Sequence, residues 1–180
     1  GPGAHLQSMG IATVLDLPGV GQHLHDHVDV VQVYDAPGQH ELFGLSLPGA
    51  VRVVKGIFEW RDRRSGMLTT NFAEAGGFLR STPDEPIPDL QLHFVIGKLV
   101  DHGRKTQFGH GYSCHVCLLR PRSRGSVSLA SADPAAAPLI DPNFLADADD
   151  MARMVRGFRL MRTMLAQLAL ARYGAREYAS

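Results

Sequence analysis

The sequence of 180 residues predicts an α+β fold, an antiparallel β-sheet of about five to six strands with amphipathic helices packed on it. Three observations lead there. Four extended segments follow one another through the middle of the chain with no helix between them, which is not the βαβ alternation of a parallel sheet. One of them, "DLQLHFVI" at residues 89–96, sets Leu90, Leu92, Phe94 and Ile96 on one face and Gln91 and His93 on the other, the half-wet pattern of an antiparallel strand. Two longer stretches repeat apolar residues at helical spacing.

The elements follow in order. Residues 28–34, "VDVVQVY", are β-branched and extended, and Pro37 and Gly38 end the run. From Pro48 to Arg64, Ala50, Val51, Val54, Ile57 and Phe58 form an apolar helix face, Arg52, Lys55, Glu59 and Arg61 take the other side, and Gly66 follows the end. The four extended segments are Ala73 to Arg80, Asp89 to Ile96, Tyr112 to Arg120 and Ser126 to Ala130. "PRSRG", 121–125, predicts a tight turn that makes the last two a hairpin, and "PLIDP", 138–142, suits an edge strand because proline flanks it. A second helix is expected from about Asp149 to Ala171, with Met151, Met154, Val155, Phe158, Met161, Leu165 and Leu168 along its core side. Methionines at that spacing read as core filler rather than a cofactor box.

Eighteen basic residues balance eighteen acidic ones, and neither sign forms a long block, which argues against a nucleic-acid or anionic-membrane surface and for a small-molecule partner. No apolar run approaches the roughly 20 residues of a membrane span, and "GPGAHLQSMG" lacks the basic start and apolar centre of a signal peptide, so a cytoplasmic setting is expected. The chain opens on a helix-like stretch, Ala4 to Met9, without an initiator methionine, and reads as part of a longer polypeptide. Self-association through an exposed apolar flank is a further expectation.

Cys114 and Cys117 stand three apart in "YSCHVCLLR", a strand-like run in which such positions face opposite ways, so buried free thiols are expected. "GPGAHL" and "GVGQHL" begin like the dinucleotide-binding G-x-G-x-x-G but end on Leu6 and Leu24, and no G-x-S-x-G nucleophile elbow occurs. Glu74, a carboxylate in the apolar run "NFAEAGGFL", calls for a partner, either a structural arginine or a ligand. Gly76 and Gly77 beside it mark a place where a ligand or another backbone comes close. His110 in "FGHGY" reads as a Gly-flanked loop histidine, solvated or closing over a site. His23, His25 and His27 would share a face on an extended chain and could hold a metal, but Leu24 and Val28 four apart hint at a turn of helix.

Taken together, "GPGAHLQSMGI", "DLPGVGQHLHDH", "NFAEAGGFLRS", "PDLQLHF", "GHGYSCHVCLLRPRSRGSVSLAS" and "PLIDPNFL" resemble, in order and across essentially all 180 residues, the glucose-methanol-choline oxidoreductases, specifically their choline dehydrogenase and bacterial alcohol dehydrogenase branch. The resemblance implies an FAD-dependent enzyme that oxidises a primary alcohol, choline or aliphatic, to the aldehyde by hydride transfer to the flavin. It implies residues 1–27 as the end of the FAD-domain portion and 28–180 as the substrate-binding domain, with the FAD fingerprint upstream and the catalytic histidine downstream. On that reading no catalytic residue or metal ligand lies within this chain, the missing FAD-binding domain is its partner, and the isolated fragment neither binds FAD nor turns over. The resemblance puts Glu74 opposite the cationic head of choline, His110 at the pocket or lid, and Asp26 and His27 near the cofactor. Only Leu24, Asp26 and His27 match the family's form around the histidines, so His23 and His25 read as local substitutions. The alternatives are a metal-binding module on His23, His25 and His27, or a non-catalytic ligand-binding domain.

Overall fold

A computed structural model describes residues 1–100, 103–105 and 107–179; Ser180, the last residue of the expected 28–180 domain, lies outside it. The elements are α1 (Gly3–Ser8), β1 (Gln22–Leu24), β2 (Val28–Asp35), β3 (Gly44–Leu45), α2 (Leu47–Arg63), β4 (Ala73–Leu79), β5 (Leu90–Val95), β6 (Gly109–Leu118), β7 (Gly125–Ser128), β8 (Leu139–Asp141), α3 (Ala148–Leu165), α4 (Leu168–Ala171) and β9 (Arg176–Ala179). Helices and antiparallel sheets are segregated, as an α+β fold requires. By contacts the chain divides into two units: residues 1–28 with 120–153, and residues 29–119 with the chain from 154 onward.

The first unit holds a three-stranded antiparallel sheet in the order β1-β7-β8. Strand β8 is the edge that the proline-flanked "PLIDP" suggests. The expected hairpin between the strands around "PRSRG" does not form: β7 pairs with β1 and β8, not with β6. Asp150 is the reason. Its buried carboxylate accepts the Arg122 and Ser123 amide N–H groups at 2.8 and 2.7 Å and the Ser123 hydroxyl at 2.6 Å, so the segment folds around an anion instead of closing a turn. A side chain at Gly125 would overlap the Asp141 carbonyl, which is how closely β7 and β8 approach there.

The second unit is built on a sheet in the order β4-β5-β6-β2-β9, with β3 pairing on β6. Strands β5 and β6 run in register from Leu90↔Leu118 to Val95↔Ser113. With a side-chain period of two, that register puts Leu90, Leu92, Phe94, Cys114, Val116 and Leu118 on one face, and Gln91, His93, His115 and Cys117 on the other. Helix α3 packs on the apolar face through Gly157, where a Cβ would stand 3.0 Å from Leu90 and from Val116. Met154, Met161 and Leu165 flank that contact and are buried.

Both helices differ from their expected faces. In α3 the buried stripe runs through Met154, Gly157, Met161 and Leu165, while Met151 and Val155 are exposed and Leu168 falls beyond the helix end, in α4. The stripe follows the glycine because only there can helix and sheet backbones come close. In α2 the buried residues are Gly49 and Gly56, and the expected core residues Ala50, Val51, Val54, Ile57 and Phe58 are all exposed. Gly56 lies against Met67 and Leu68, and a side chain at Gly49 would overlap the Gly44 carbonyl. The helical period holds, but the side that packs is the glycine side, not the apolar one. Near the histidines the expected helical turn is absent, since residues 22–24 form β1.

Two outcomes follow from this packing. Gly157→Val drives a branched side chain into Leu90 and Val116 and is expected to cost about 2–3 kcal/mol, read as a lower urea midpoint with an unchanged slope. For Asp150, burial alone raises the carboxyl pKa, but the Ser123 hydroxyl, the two amides and the Arg153 charge together hold it below the ordinary carboxylate value. A depressed folded-state pKa stabilises above the unfolded value and stops doing so as pH falls through the folded one. Stability should therefore drop below about pH 4, and Asp150→Asn should lose about 2 kcal/mol at neutral pH and flatten that acid limb in chemical denaturation.

Candidate functional site

Strand β4 is the edge of the larger sheet, which decides how its apolar sequence is used. Its register against β5 steps from Ala73↔Val95 to Ala75↔Phe94, leaving Glu74 as the extra residue of a β-bulge. Bulges re-aim side chains and are frequent beside active sites. Glu74 is exposed and has no hydrogen bond or ion pair among the described residues, which corrects the expectation of burial and sets aside the structural arginine as its partner. An edge strand leaves one side of the run open to water, so the carboxylate keeps its hydration without an arginine.

Directly after Glu74 the strand loses its side chains. Ala75, Gly76 and Gly77, with Leu92, Phe94 and Met164, line an apolar cavity of about 400 Å³. A Cβ at Gly77 would meet nothing within 4 Å, so the bare backbone leaves open space. Phe94 also stacks on Tyr112, and Tyr112 on Tyr34, each pair with centroids 5.1 Å apart. The arrangement can hold an apolar chain beside glycine backbone, with a single free carboxylate at the neighbouring bulge.

His110 is not a solvated loop residue. It lies on β6 and is buried, and its imidazole bridges two elements. Ser46 Oγ accepts the Gly49 N–H at 3.0 Å as the N-cap of α2 and lies 2.6 Å from His110 Nε2. The Leu42 carbonyl, 2.9 Å from Nδ1, can only accept, which places a proton on Nδ1; in that tautomer Nε2 accepts the Ser46 hydroxyl. Both ring nitrogens are engaged in holding the start of α2. His110 and Glu74 are not brought together: β5 lies between their strands, a spacing of about 10 Å.

A polar pair missed in the sequence lies on the other sheet face. Asp29 Oδ2 accepts His115 Nδ1–H at 2.6 Å, while His115 Nε2 is buried without a hydrogen-bond partner. His93 is the direct cross-strand neighbour of His115. The alternation in "QLHFV" and "SCHVC" signals that each histidine leaves the apolar face, but only the register sets them opposite. Cys114 and Cys117 are free and buried. Burial pushes the Cys114 thiol up to about 12 against a lowering hydrogen bond from the His115 backbone, and burial with the Asp29 charge pushes Cys117 up to about 11. Both stay protonated at neutral pH and are poor nucleophiles.

In the first unit, Asp26 and His27 are exposed, and Asp26 Oδ1 accepts the His27 amide N–H at 2.8 Å. His25 Nε2 sits 2.8 Å from the Pro121 carbonyl, and His23 has a left-handed backbone with φ of 62°. Among the described residues no three His, Cys, Asp or Glu side chains come together as a metal-binding group. The glycine-rich stretches do not fit a dinucleotide pyrophosphate. The Gly3 N–H at the start of α1 is taken by Asp16 Oδ1 at 2.7 Å, and Gly21 is where the Val127 carbonyl crosses the chain.

Comparison with known proteins adds to this geometry. Residues 121–179 match a family model described as GMC oxidoreductase. An alcohol dehydrogenase (acceptor) of Pseudomonas putida is 41% identical over 177 residues, 98% of this chain and 32% of that protein. An oxygen-dependent choline dehydrogenase of Paraburkholderia phymatum is 38% identical over 177 residues, 98% of this chain and 31% of that protein. A solved structure of formate oxidase from Aspergillus oryzae, a protein studied for modification of its FAD, superposes with a TM-score of 0.78 at 25% identity, covering 96% of this chain and 34% of that one. The chain thus spans about a third of the length of the curated relatives it matches.

The His110 bridge gives a direct test. His110→Phe keeps a planar aromatic ring, slightly larger, but removes both hydrogen bonds, and is expected to cost about 2–3 kcal/mol. Amide exchange should speed up in the first turn of α2 around Gly49 and leave the β5–β6 ladder protected.

Proposed function

Because the chain belongs to the GMC oxidoreductase family, we propose that it forms the substrate-facing portion of an FAD-dependent enzyme that oxidises a primary alcohol to the aldehyde. The observation that carries this reading is Glu74, an unpaired carboxylate on a bulge of edge strand β4, followed at once by glycine backbone beside an apolar cavity. Relatives that match over nearly the whole of this chain act, by name, on choline or on an alcohol. FAD, which would supply the hydride acceptor, would be held by other residues, since the glycine-rich stretches here do not fit its pyrophosphate.

The role assigned to this chain is to position the alcohol. Glu74 faces the cationic head when the substrate is a choline-type alcohol, where a carboxylate and nearby aromatic rings act together. An uncharged aliphatic alcohol would use the apolar wall alone. Asp26 and His27 are proposed to lie near the cofactor, and His110 to act on the pocket only through its hold on the start of α2. No residue of this chain is given the chemical step. Residues 1–27 are proposed as the end of the flavin-binding portion and 28–180 as the substrate-binding portion, whose partner is the flavin-binding domain of a longer polypeptide. A cytoplasmic setting is part of the proposal.

The test uses the longer polypeptide that carries this segment, assayed by alcohol-dependent reduction of a dye acceptor. Glu74→Gln is expected to lower kcat/KM for choline at least about tenfold, the loss of one useful ion pair, and to change kcat/KM for a neutral alcohol of similar length by less than about twofold. Equal effects on both alcohols would remove Glu74 from the pocket. Absence of any alcohol-dependent reduction would remove the function.

A further inference from the structure

Helix α2 presents its apolar stripe to the outside. Its buried positions, Gly49 and Gly56, form a side without side chains. At 100° per residue, Leu47, Val51, Val54 and Phe58 fall on the opposite side, and they are 81%, 47%, 52% and 65% exposed. A helix serving only its own core buries that stripe. The apolar surface continues past the helix start, where exposed Leu45 and Phe108 bridge.

The charge around the stripe is net positive. Arg52, Lys55, Arg61, Arg63 and Arg64 outnumber Glu59 and Asp62, in a chain whose total charge is zero, and Asp62, in line with Val51 at the stripe's edge, is paired with Arg63 at 3.4 Å. The balanced composition therefore conceals a local excess. Lys55 and Arg61 border the stripe and have no ion pair or hydrogen bond among the described residues. At the C-terminal end, the Arg64 guanidinium lies 4.3 Å from the centroid of the half-exposed Trp60 ring. Leu, Val and Phe on one face, cations at its borders and a Trp–Arg pair at one end are the pattern of a helix that lies in a membrane interface.

We propose that this face of α2 is a docking surface for an anionic lipid bilayer. The helix lies in the plane of the membrane, with Leu47, Val51, Val54 and Phe58 at the acyl boundary and Lys55 and Arg61 on lipid phosphates. It does not span, since no helix among the described residues is long and apolar enough to cross. A second copy of this chain fits the face less well, because it would set the same cations against each other, and one helix stripe offers little of the roughly 800 Å² per partner of a stable interface. Nucleic acid would leave the apolar centre uncovered. The proposal does not depend on the alcohol-oxidising reading.

Trp60 is the sole tryptophan and reports on the helix directly. The chain is mixed with vesicles of phosphatidylcholine alone or of phosphatidylcholine with equimolar phosphatidylglycerol, then sedimented, with Trp60 emission recorded. The expected result is co-sedimentation with the anionic vesicles, a blue shift of Trp60, and loss of both in high salt. Lys55→Glu with Arg61→Glu should weaken binding at least about tenfold, and Phe58→Ser should abolish the blue shift. These side chains are exposed, so an unchanged circular dichroism spectrum is expected and separates lost binding from lost fold. No binding to anionic vesicles, equal binding to both vesicle types, or a dimer that Phe58→Ser turns into monomer would each overturn the proposal. So would failure of the longer polypeptide to bind the same vesicles, which would mark the face as covered by further chain.

Discussion

The register of β5 against β6 is the constraint on which most of the larger unit depends. Six consecutive pairs, from Leu90↔Leu118 to Val95↔Ser113, sort side chains by parity. Even positions on both strands form the apolar seat that Gly157 of α3 enters, and odd positions carry His93, His115 and Cys117 to the other face. A slip by one residue would exchange the two sets, placing imidazoles against α3 and leucines on the polar side. The same parity keeps Cys114 and Cys117 apart, and it defines the bulge at Glu74, which exists only as a departure from the ladder.

Glycine decides where helices sit in this protein. Gly157 lets α3 approach the sheet closely enough for Leu90 and Val116 to close around it, and the neighbouring Met154 and Met161 are buried as a result. In α2 the same device works on the side opposite the apolar stripe, through Gly49 and Gly56. The two helices have similar amphipathic sequences and different fates. One turns a mixed glycine and methionine stripe inward; the other leaves its valines and phenylalanine outside, where they are available to a further surface.

The acidic residues divide by how fully they are satisfied. Asp150 is buried and accepts three hydrogen bonds, so its charge is spent on shaping residues 121–125. Asp29 orients His115 through Nδ1 and leaves Nε2 without a partner. Glu74 is paired with nothing among the described residues and stands at an edge beside bare backbone. A saturated carboxylate belongs to the fold, while an unpaired one remains available to a cation. That contrast, more than any motif, is the reason Glu74 rather than His110 is proposed to meet the substrate, since both nitrogens of His110 are already engaged.

Alternation in "DLQLHFVI", helical periodicity before Arg64 and after Asp149, and the proline-flanked "PLIDP" were enough to place strands, helices and an edge, because these follow from local geometry with fixed periods. The ordered blocks were enough to indicate the family. Several features depended on which segments meet in space. The turn at 121–125 was claimed by Asp150, a carboxylate 25 or more residues away, so β7 found β1 and β8 instead of β6. His110 became a buried bridge because Leu42 and Ser46 fold back onto it. The helix faces were reversed or narrowed because a sequence shows the period of its apolar residues but not which side meets a partner. Periodicity is a property of one segment; burial, register and hydrogen-bond satisfaction are properties of pairs, and only the tertiary structure decides the pairs.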